Sequence, residues 1–119
     1  MRNLKPILND GEYIFCSISD KFGIQIQDPV MIFYESEGKT MIIKKQQAEE
    51  FGITYQKIFS WITLTMYSSL ETVGLTAAFS KALTEEEISC NVVAAFHHDH
   101  LFVPFEQRDK ALEILRRLL

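Results

Sequence analysis

The sequence has few cysteines, and their spacing is not that of a metal or redox site. Its 119 residues include two, Cys16 and Cys90, with no CxxC pair and no Cys/His spacing of the kind that binds zinc. Each lies in an apolar, strand-like run, where a thiol packs as a small hydrophobic side chain. We therefore expect two buried, reduced thiols and no zinc module.

Long apolar segments and concentrated positive charge are also missing. No run approaches the length of a membrane span, and the residues after Met1 lack the apolar stretch of a signal peptide, which favours a cytoplasmic protein without a membrane partner. The formal net charge is −4, and the only adjacent basic pairs, Lys44-Lys45 and Arg116-Arg117, are typical of solvated faces. This disfavours nucleic acid as a partner. No nucleophile is recognisably paired with a general base, so we predict no enzyme and no catalytic residues.

Strand and turn signals fill the first half of the chain. Asp10-Gly11 is typical of a turn, and it predicts a lead-in before it and a strand over Tyr13 to Ile18 after it. A hairpin follows, with strands over residues 30–35 and 40–44 and a positive φ at Gly38 in its turn.

The middle of the chain combines a short helix with a long strand. The helix covers residues 46–51 and ends at Gly52, the usual C-terminal glycine. In the strand, residues 57–66, side chains alternate between two faces. One face carries Ile58, Ile62, Leu64 and Met66. The other face, which is less apolar, carries Phe59, Trp61, Thr63 and Thr65. Trp61 and Phe59 are either core aromatics or contacts to a partner subunit.

The second half shows clear helical periodicity. Apolar residues at helical spacing predict a helix that begins after Gly74 and a closing helix over residues 106–119. Between them, residues 88–96 form a nearly continuous apolar run, which is typical of a central strand covered on both faces. His97 to His100 turns the chain into a short strand over residues 101–103.

The order of these elements predicts an α+β, ferredoxin-like fold of the βαββαβ type, with helices on one face of a mainly antiparallel sheet. Two halves of related order appear, and we divide them as residues 1–56 and residues 57–119. The second half lacks a terminal strand of its own. Either a strand of the first half or pairing between subunits would complete it.

The string Thr72-Val73-Gly74-Leu75, the helix after it and the strand Ile88-Ser89-Cys90-Asn91-Val92-Val93 resemble the ACT domain family. The recurring feature of that family is a small loop with a glycine at the start of the first helix, followed by an apolar helix and an Ile-x-x-x-aliphatic strand. The usual proline before the glycine is Val73 here. The fuller string from Ser68 to Pro104 is similar to small stand-alone bacterial proteins with paired ACT-like halves. The same paired class occurs in cytosolic arginine sensors and in the regulatory ends of aspartate kinases.

This resemblance implies a regulatory homodimer that binds a small molecule, commonly an amino acid, at an interface between ACT units and acts on a separate protein target. An interaction or dimerisation module of the same fold, without a ligand, is the alternative. Carried onto this sequence, the ligand-binding candidates are Ser68, Ser69, Glu71, Val73, Gly74, Leu75, Thr76, Asn91 and Val92.

The chemistry of an amino acid suggests roles for three of these residues. Glu71 would accept the ammonium, and the backbone N–H groups of Gly74 and Leu75 would donate to the carboxylate. Structural explanations remain open beside these roles. Ser68 and Glu71 have capping-box spacing, Gly74 suits close packing, and Asn91 can hold a loop by local hydrogen bonds.

The run His97-His98-Asp99-His100 raises the question of a metal. Adjacent strand residues point to opposite faces, so only His98 and His100 are placed to share an ion, as a small metal-dependent enzyme would require. A polar hairpin loop is the commoner explanation of such a run. We therefore predict neither a metal site nor a cofactor.

Overall fold

The protein forms two compact units. A computed structural model describes residues 4–66 and 74–118. The first unit is Gly11–Phe59, and the second unit combines Met1–Asp10 with Ser60–Leu119. The long first strand, β1 (Leu4–Ile18), therefore contributes residues to both units.

The first unit is an antiparallel sheet with one short helix. Strands β2 (Met31–Glu35) and β3 (Gly38–Lys44) form a hairpin, and β3 pairs on its other side with β1. Helix α1 (Lys45–Glu50) follows. Alternate residues of β1 and β3 point to the same side as α1 and form the core of the unit, which consists of Ile14, Cys16, Ile18, Ile26, Met41, Ile43 and Ala48.

The second unit is a four-stranded sheet with two helices, in the strand order β1-β4-β6-β5. Its further elements are β4 (Phe59–Met66), α2 (Leu75–Glu85), β5 (Asn91–Ala94), β6 (Asp99–Pro104), a 3₁₀ turn (Phe105–Gln107) and α3 (Arg108–Arg117). The N-terminal part of β1 thus completes this half of the fold, which is the first of the two alternatives that the sequence left open.

Both helices of the second unit pack on one face of its sheet. The buried cluster there is Ile62, Leu64, Phe79, Leu83, Ile88, Leu101, Val103, Ala111, Leu112, Ile114 and Leu115. Because strand side chains alternate, Trp61 and Thr63 of β4 and His100 and Phe102 of β6 point to the opposite face. The predicted α+β class, with a mainly antiparallel sheet and helices on one face, is confirmed. No helix within residues 4–66 or 74–118 has the length and apolarity to cross a membrane.

The N-terminal prediction was wrong. The sequence indicated a lead-in, a turn at Asp10-Gly11 and a strand only from Tyr13, but β1 runs without interruption from Leu4 to Ile18. Gly11 has a φ of +111° within this strand, a conformation that favours glycine. It stands where the chain passes from the second unit to the first, so the glycine marks a change of unit and not a reversal of direction.

The prediction of a central strand over residues 88–96 was also wrong. Strand β5 has only four residues, Asn91–Ala94, and it lies at the end of the strand order, where Asn91 and Val92 are exposed. The apolar run is longer than the strand because Ile88 lies just after the turn that follows α2 and is bonded back to that helix. Its N–H donates to the Leu83 carbonyl at 3.0 Å, and its side chain is buried in the core. The closing helix likewise begins later than predicted, after the 3₁₀ turn.

Candidate ligand-binding site

Helix α2 begins at a solvent-exposed glycine. Gly74 precedes the first helical residue and has a φ of +82°. A Cβ added at this glycine would meet no atom of the described residues within 4 Å. Of the described residues none packs closely against it, so the conformation explains the glycine at this position.

The first turn of α2 has backbone donors that no described side chain caps. An α-helix leaves its first N–H groups without intrahelical partners, and here the helical bonding starts with the Ala78 N–H donating to the Gly74 carbonyl at 2.9 Å. Among the described residues no side chain caps this helix, and its first turn contains no acidic residue. Thr76 and Ala77 are exposed in that turn. The positive end of the helix dipole and these donors suit an anionic group such as a carboxylate.

The two candidates on β5 lie on an open strand edge. Asn91 is opposite Phe102 and Val92 is opposite Leu101, so their side chains point to opposite faces of the sheet. Both are exposed. A ligand over one face would contact only one of them, whereas a ligand along the open edge would reach both.

The remaining predicted ligand residues fall in a part of the chain without a described structure. Ser68, Ser69, Glu71 and Val73 lie outside the described residues, and so does the proposed capping box. Leu75 is the first residue of α2. The site as a whole stays a prediction, with Gly74 and Thr76 at the helix start and Asn91 and Val92 on the edge strand.

A second polar cluster, which sequence reasoning did not find, lies on the helix-free face of the second unit. The indole N–H of Trp61 donates to Nδ1 of His100 at 2.9 Å, and Thr63 Oγ1 lies 3.1 Å from the same nitrogen. The Asn9 amide donates to Thr63 Oγ1 at 2.9 Å and to the Trp61 carbonyl at 3.2 Å. The alternation of side chains along β4 indicated that Trp61 and Thr63 share a face. It could not indicate their partners, because Asn9 and His100 lie on strands that are distant in sequence.

These contacts determine the protonation of His100. An indole nitrogen can only donate, so Nδ1 of His100 must accept and its proton must be on Nε2. Thr63 accepts from Asn9 and so can direct its own hydroxyl hydrogen to the same Nδ1. Burial, and secondarily the nearby His98, lower the pKa of His100, while Asp99 opposes the shift. The imidazole is therefore neutral at physiological pH.

The histidine run does not gather three ligand side chains among the described residues. The rings of His98 and His100 are perpendicular with centroids 6.2 Å apart, and Nδ1 of His100 is already the acceptor for Trp61. Nδ1 of His98 is buried without a hydrogen-bond partner among the described residues. No group of three or more His, Cys, Asp or Glu side chains within residues 4–66 and 74–118 is arranged to hold an ion.

The cysteines and the aromatic pair behave as packing residues. Cys16 is buried as expected, whereas Cys90 is only half-buried against the core of the second unit. Burial raises the pKa of the Cys90 thiol to about 11 and also raises that of Cys16, so both are protonated at neutral pH. Phe59 is buried in an edge-to-face contact with Phe15, with ring centroids 5.1 Å apart. Trp61 stacks on Phe102 at 6.1 Å.

Comparison with known protein families agrees with this architecture. Residues 1–60 match one model of the ACT domain, and residues 58–117 match another. The chain belongs to the ACT domain family. Its two successive matches make it a paired ACT protein, as the resemblance implied.

Solved structures share the fold over nearly the whole chain. A protein of unknown function from Vibrio cholerae is 38% identical, with a TM-score of 0.87 over 98% of this chain and 90% of its own. An Agrobacterium tumefaciens protein is 15% identical, with a TM-score of 0.67 over 97% and 88%. The regulatory subunit of aspartate kinase from Thermus flavus is 12% identical, with a TM-score of 0.60 over 97% and 95%. No curated protein matches the sequence.

Proposed function

We propose that this paired ACT protein is a non-enzymatic regulator that binds an amino acid or a similar small molecule. The observation that carries the proposal is the start of α2, where Gly74 is exposed, no described atom lies within 4 Å of an added Cβ, and no described side chain caps the first-turn donors. ACT membership supports the regulatory class, and the aspartate kinase regulatory subunit is a fold neighbour. The protein would act in the cytoplasm as a homodimer, with halves divided near residue 57.

The chemistry of the proposed site matches the two charged groups of an amino acid. The carboxylate would accept hydrogen bonds from the N–H groups that follow Gly74, where the helix dipole favours negative charge. Thr76 is exposed in the same turn and offers a hydroxyl. Asn91, at the start of the open strand β5, would contact the rest of the ligand, and Glu71 would accept its ammonium.

The mechanism would be a population shift. A ligand that contacts two ACT units stabilises the arrangement in which both contacts form, by no more than its difference in affinity between the two arrangements. The output would then pass to a separate protein target.

Thermal unfolding in the presence of each of the twenty amino acids tests the proposal. A ligand at one hundred times its dissociation constant stabilises the folded state by about 2.7 kcal/mol, which raises the melting temperature by several degrees. Absence of any shift at millimolar concentrations would contradict ligand binding. It would favour the alternative, an interaction module without a ligand.

A pair of matched substitutions locates the site. Gly74→Asp places a carboxylate at the start of α2, where it repels the carboxylate of the ligand. Gly52→Asp is the control, because Gly52 is also exposed, has a φ of +66° and has no described atom within 4 Å of an added Cβ. We expect the ligand-induced shift to disappear only in Gly74→Asp. If Gly74→Asp keeps the ligand-induced shift, or if both variants lose it equally, the ligand does not bind at the start of α2.

A further inference from the structure

A cavity of about 410 Å³ lies between the ends of the two helices of the second unit. Its volume falls within the range of about 300–1,000 Å³ in which proteins bind small molecules. The residues that line it come from the last turn of each helix and the residue after it, and they are Ala82, Glu85, Glu86, Ile114, Arg117 and Leu118. The lining therefore combines apolar groups with charges of both signs.

The floor of this cavity is apolar. Ile114 is buried in the core of the second unit, and Ala82 and Leu118 pack against that core from the two helices. Ala82 and Leu118 are only half-buried, so part of their apolar surface still faces water. A ligand that covers this surface gains free energy in proportion to the area removed from water. The floor therefore suits an aliphatic chain.

The wall that α2 contributes carries negative charge without a counter-charge. Glu85 and Glu86 are exposed, and neither forms an ion pair with a described residue. Both stand at the end of α2, where the helix dipole is negative and favours cations, yet the last turn of this helix contains no basic residue. The two carboxylates and the helix end would together attract a protonated amine.

The wall that α3 contributes carries a guanidinium. Nη2 of Arg117 donates to Oε1 of Glu113 at 2.8 Å, one turn away on the same helix, and the other N–H groups of the guanidinium remain for a further acceptor. The charge of Glu86 adds to the larger effect of Glu113 in raising the pKa of Arg117, although Glu86 and Arg117 form no ion pair. Since guanidinium groups bind carboxylates well, this wall suits a carboxylate.

The opposite charges lie on different helices, with the apolar floor between them. The axes of packed helices are about 8–10 Å apart, a separation that a short aliphatic chain spans. An α-amino acid carries its ammonium and its carboxylate on one carbon, so it would place both charges side by side. A linear ω-amino acid carries them at the two ends of an aliphatic chain, which matches the order of groups in this cavity.

From these observations we infer that the cavity between the ends of α2 and α3 binds a linear ω-amino acid, with its ammonium at Glu85 and Glu86 and its carboxylate at Arg117. The cavity lies at the other end of α2 from Gly74. The inference therefore does not depend on the ligand site proposed above, and it adds a second class of ligand.

Heteronuclear NMR with three related compounds tests the ligand class. ε-Aminocaproate and leucine are isomers, but only ε-aminocaproate has its two charges at opposite ends of a chain, and caproate lacks the ammonium. We expect millimolar ε-aminocaproate to shift the amide resonances in the last turns of α2 and α3, and leucine and caproate to leave them unchanged. No shift with ε-aminocaproate would overturn the site, and equal shifts with leucine would overturn the ligand class. Resonances near Gly74 report the other site separately.

Substitutions that remove charge locate the ligand. Glu85→Gln combined with Glu86→Gln, and Arg117→Gln alone, should each raise the dissociation constant of ε-aminocaproate about 10-fold, since each removes a charge-assisted hydrogen bond. Glu87→Gln and Arg116→Gln are the matched controls, because both residues are exposed beside the cavity without lining it. They should change the dissociation constant less than about twofold. Equal losses in lining and control variants would mean that only net charge matters, and would overturn the site.

Discussion

The hydrogen bond between Trp61 and His100 should contribute measurably to the stability of the protein, and substitution of His100 tests this directly. Replacing His100 by Leu removes the acceptor for the indole N–H, which is 2.9 Å away. A hydrogen bond of this kind contributes about 1 kcal/mol net. The ring contact, with centroids 5.6 Å apart, contributes about 0.5–1.5 kcal/mol more. We therefore expect His100→Leu to lower the free energy of unfolding by about 1–2 kcal/mol. His100→Asn should cost less, because its amide oxygen stands near the position of Nδ1.

Acid should disturb the same contact. Protonation of Nδ1 would set a new donor against the Trp61 N–H, which can only donate. The pKa of His100 is lowered from its ordinary value of 6.5, so the unfolded chain binds a proton before the folded protein does. This contribution to stability is complete above pH 6.5 and is lost as the pH falls from 6.5 through the lowered pKa of the folded state. Of the neighbouring charged groups, His98 strengthens the shift and Asp99 weakens it.

Intrinsic fluorescence reports this titration, because Trp61 is the only tryptophan of the chain. A protonated imidazole in contact with the indole quenches its emission. We expect a fluorescence transition with a midpoint below pH 6.5 in the wild type and none in His100→Asn. His98→Gln should move the midpoint upward, since it removes the Coulombic effect of His98 that lowers the pKa of His100. A wild-type midpoint at or above 6.5, or the same transition in His100→Asn, would refute the reasoning.

Two further predictions concern a half-buried thiol and a buried hydroxyl. With its pKa near 11, Cys90 should react with a thiol reagent at pH 8 roughly 100-fold more slowly than an ordinary thiol of pKa 9.0, and a denaturant should abolish the difference. Labelling of the native protein as fast as that of an ordinary thiol would contradict the raised pKa. The Ser60 hydroxyl is buried without a hydrogen-bond partner among the described residues, so Ser60→Ala should leave stability unchanged or raise it by about 1 kcal/mol in urea unfolding. A large loss would mean that the hydroxyl has a partner.

Local patterns were sufficient to predict most elements of the fold. The helical spacing around Phe79 and Leu83 predicted α2 and its buried face, and the alternation at Ile62 and Leu64 predicted the core side of β4. Glycines also predicted correctly two of the places where the backbone turns. Gly38 has a φ of +147° at the hairpin and Gly52 has a φ of +66° after α1, both as expected. In each case the physical cause lies within a few residues.

Long-range pairing could not be predicted from the same patterns. Asp10-Gly11 has the composition of a turn, yet the strand continues because its two parts pair with different partners, β4 and β3. The apolar run after Ile88 has the composition of a central strand, yet hydrophobicity does not reveal which strands end up at an edge. The contact between Trp61 and His100 joins residues 39 positions apart. No pattern within a few neighbouring residues of the sequence can predict such a contact.

A regulator that works through assembly has to couple its ligand site to its oligomeric state. The proposed ligand site lies in the second unit, at the start of α2 and on β5. Binding free energies are reciprocal, so a ligand that strengthens the proposed dimer must itself bind the dimer more tightly than the monomer by the same factor. Regulation through assembly therefore requires the ligand affinity to rise with protein concentration as the dimer forms, and an affinity that stays constant over that range would mean that the regulation does not use the dimer.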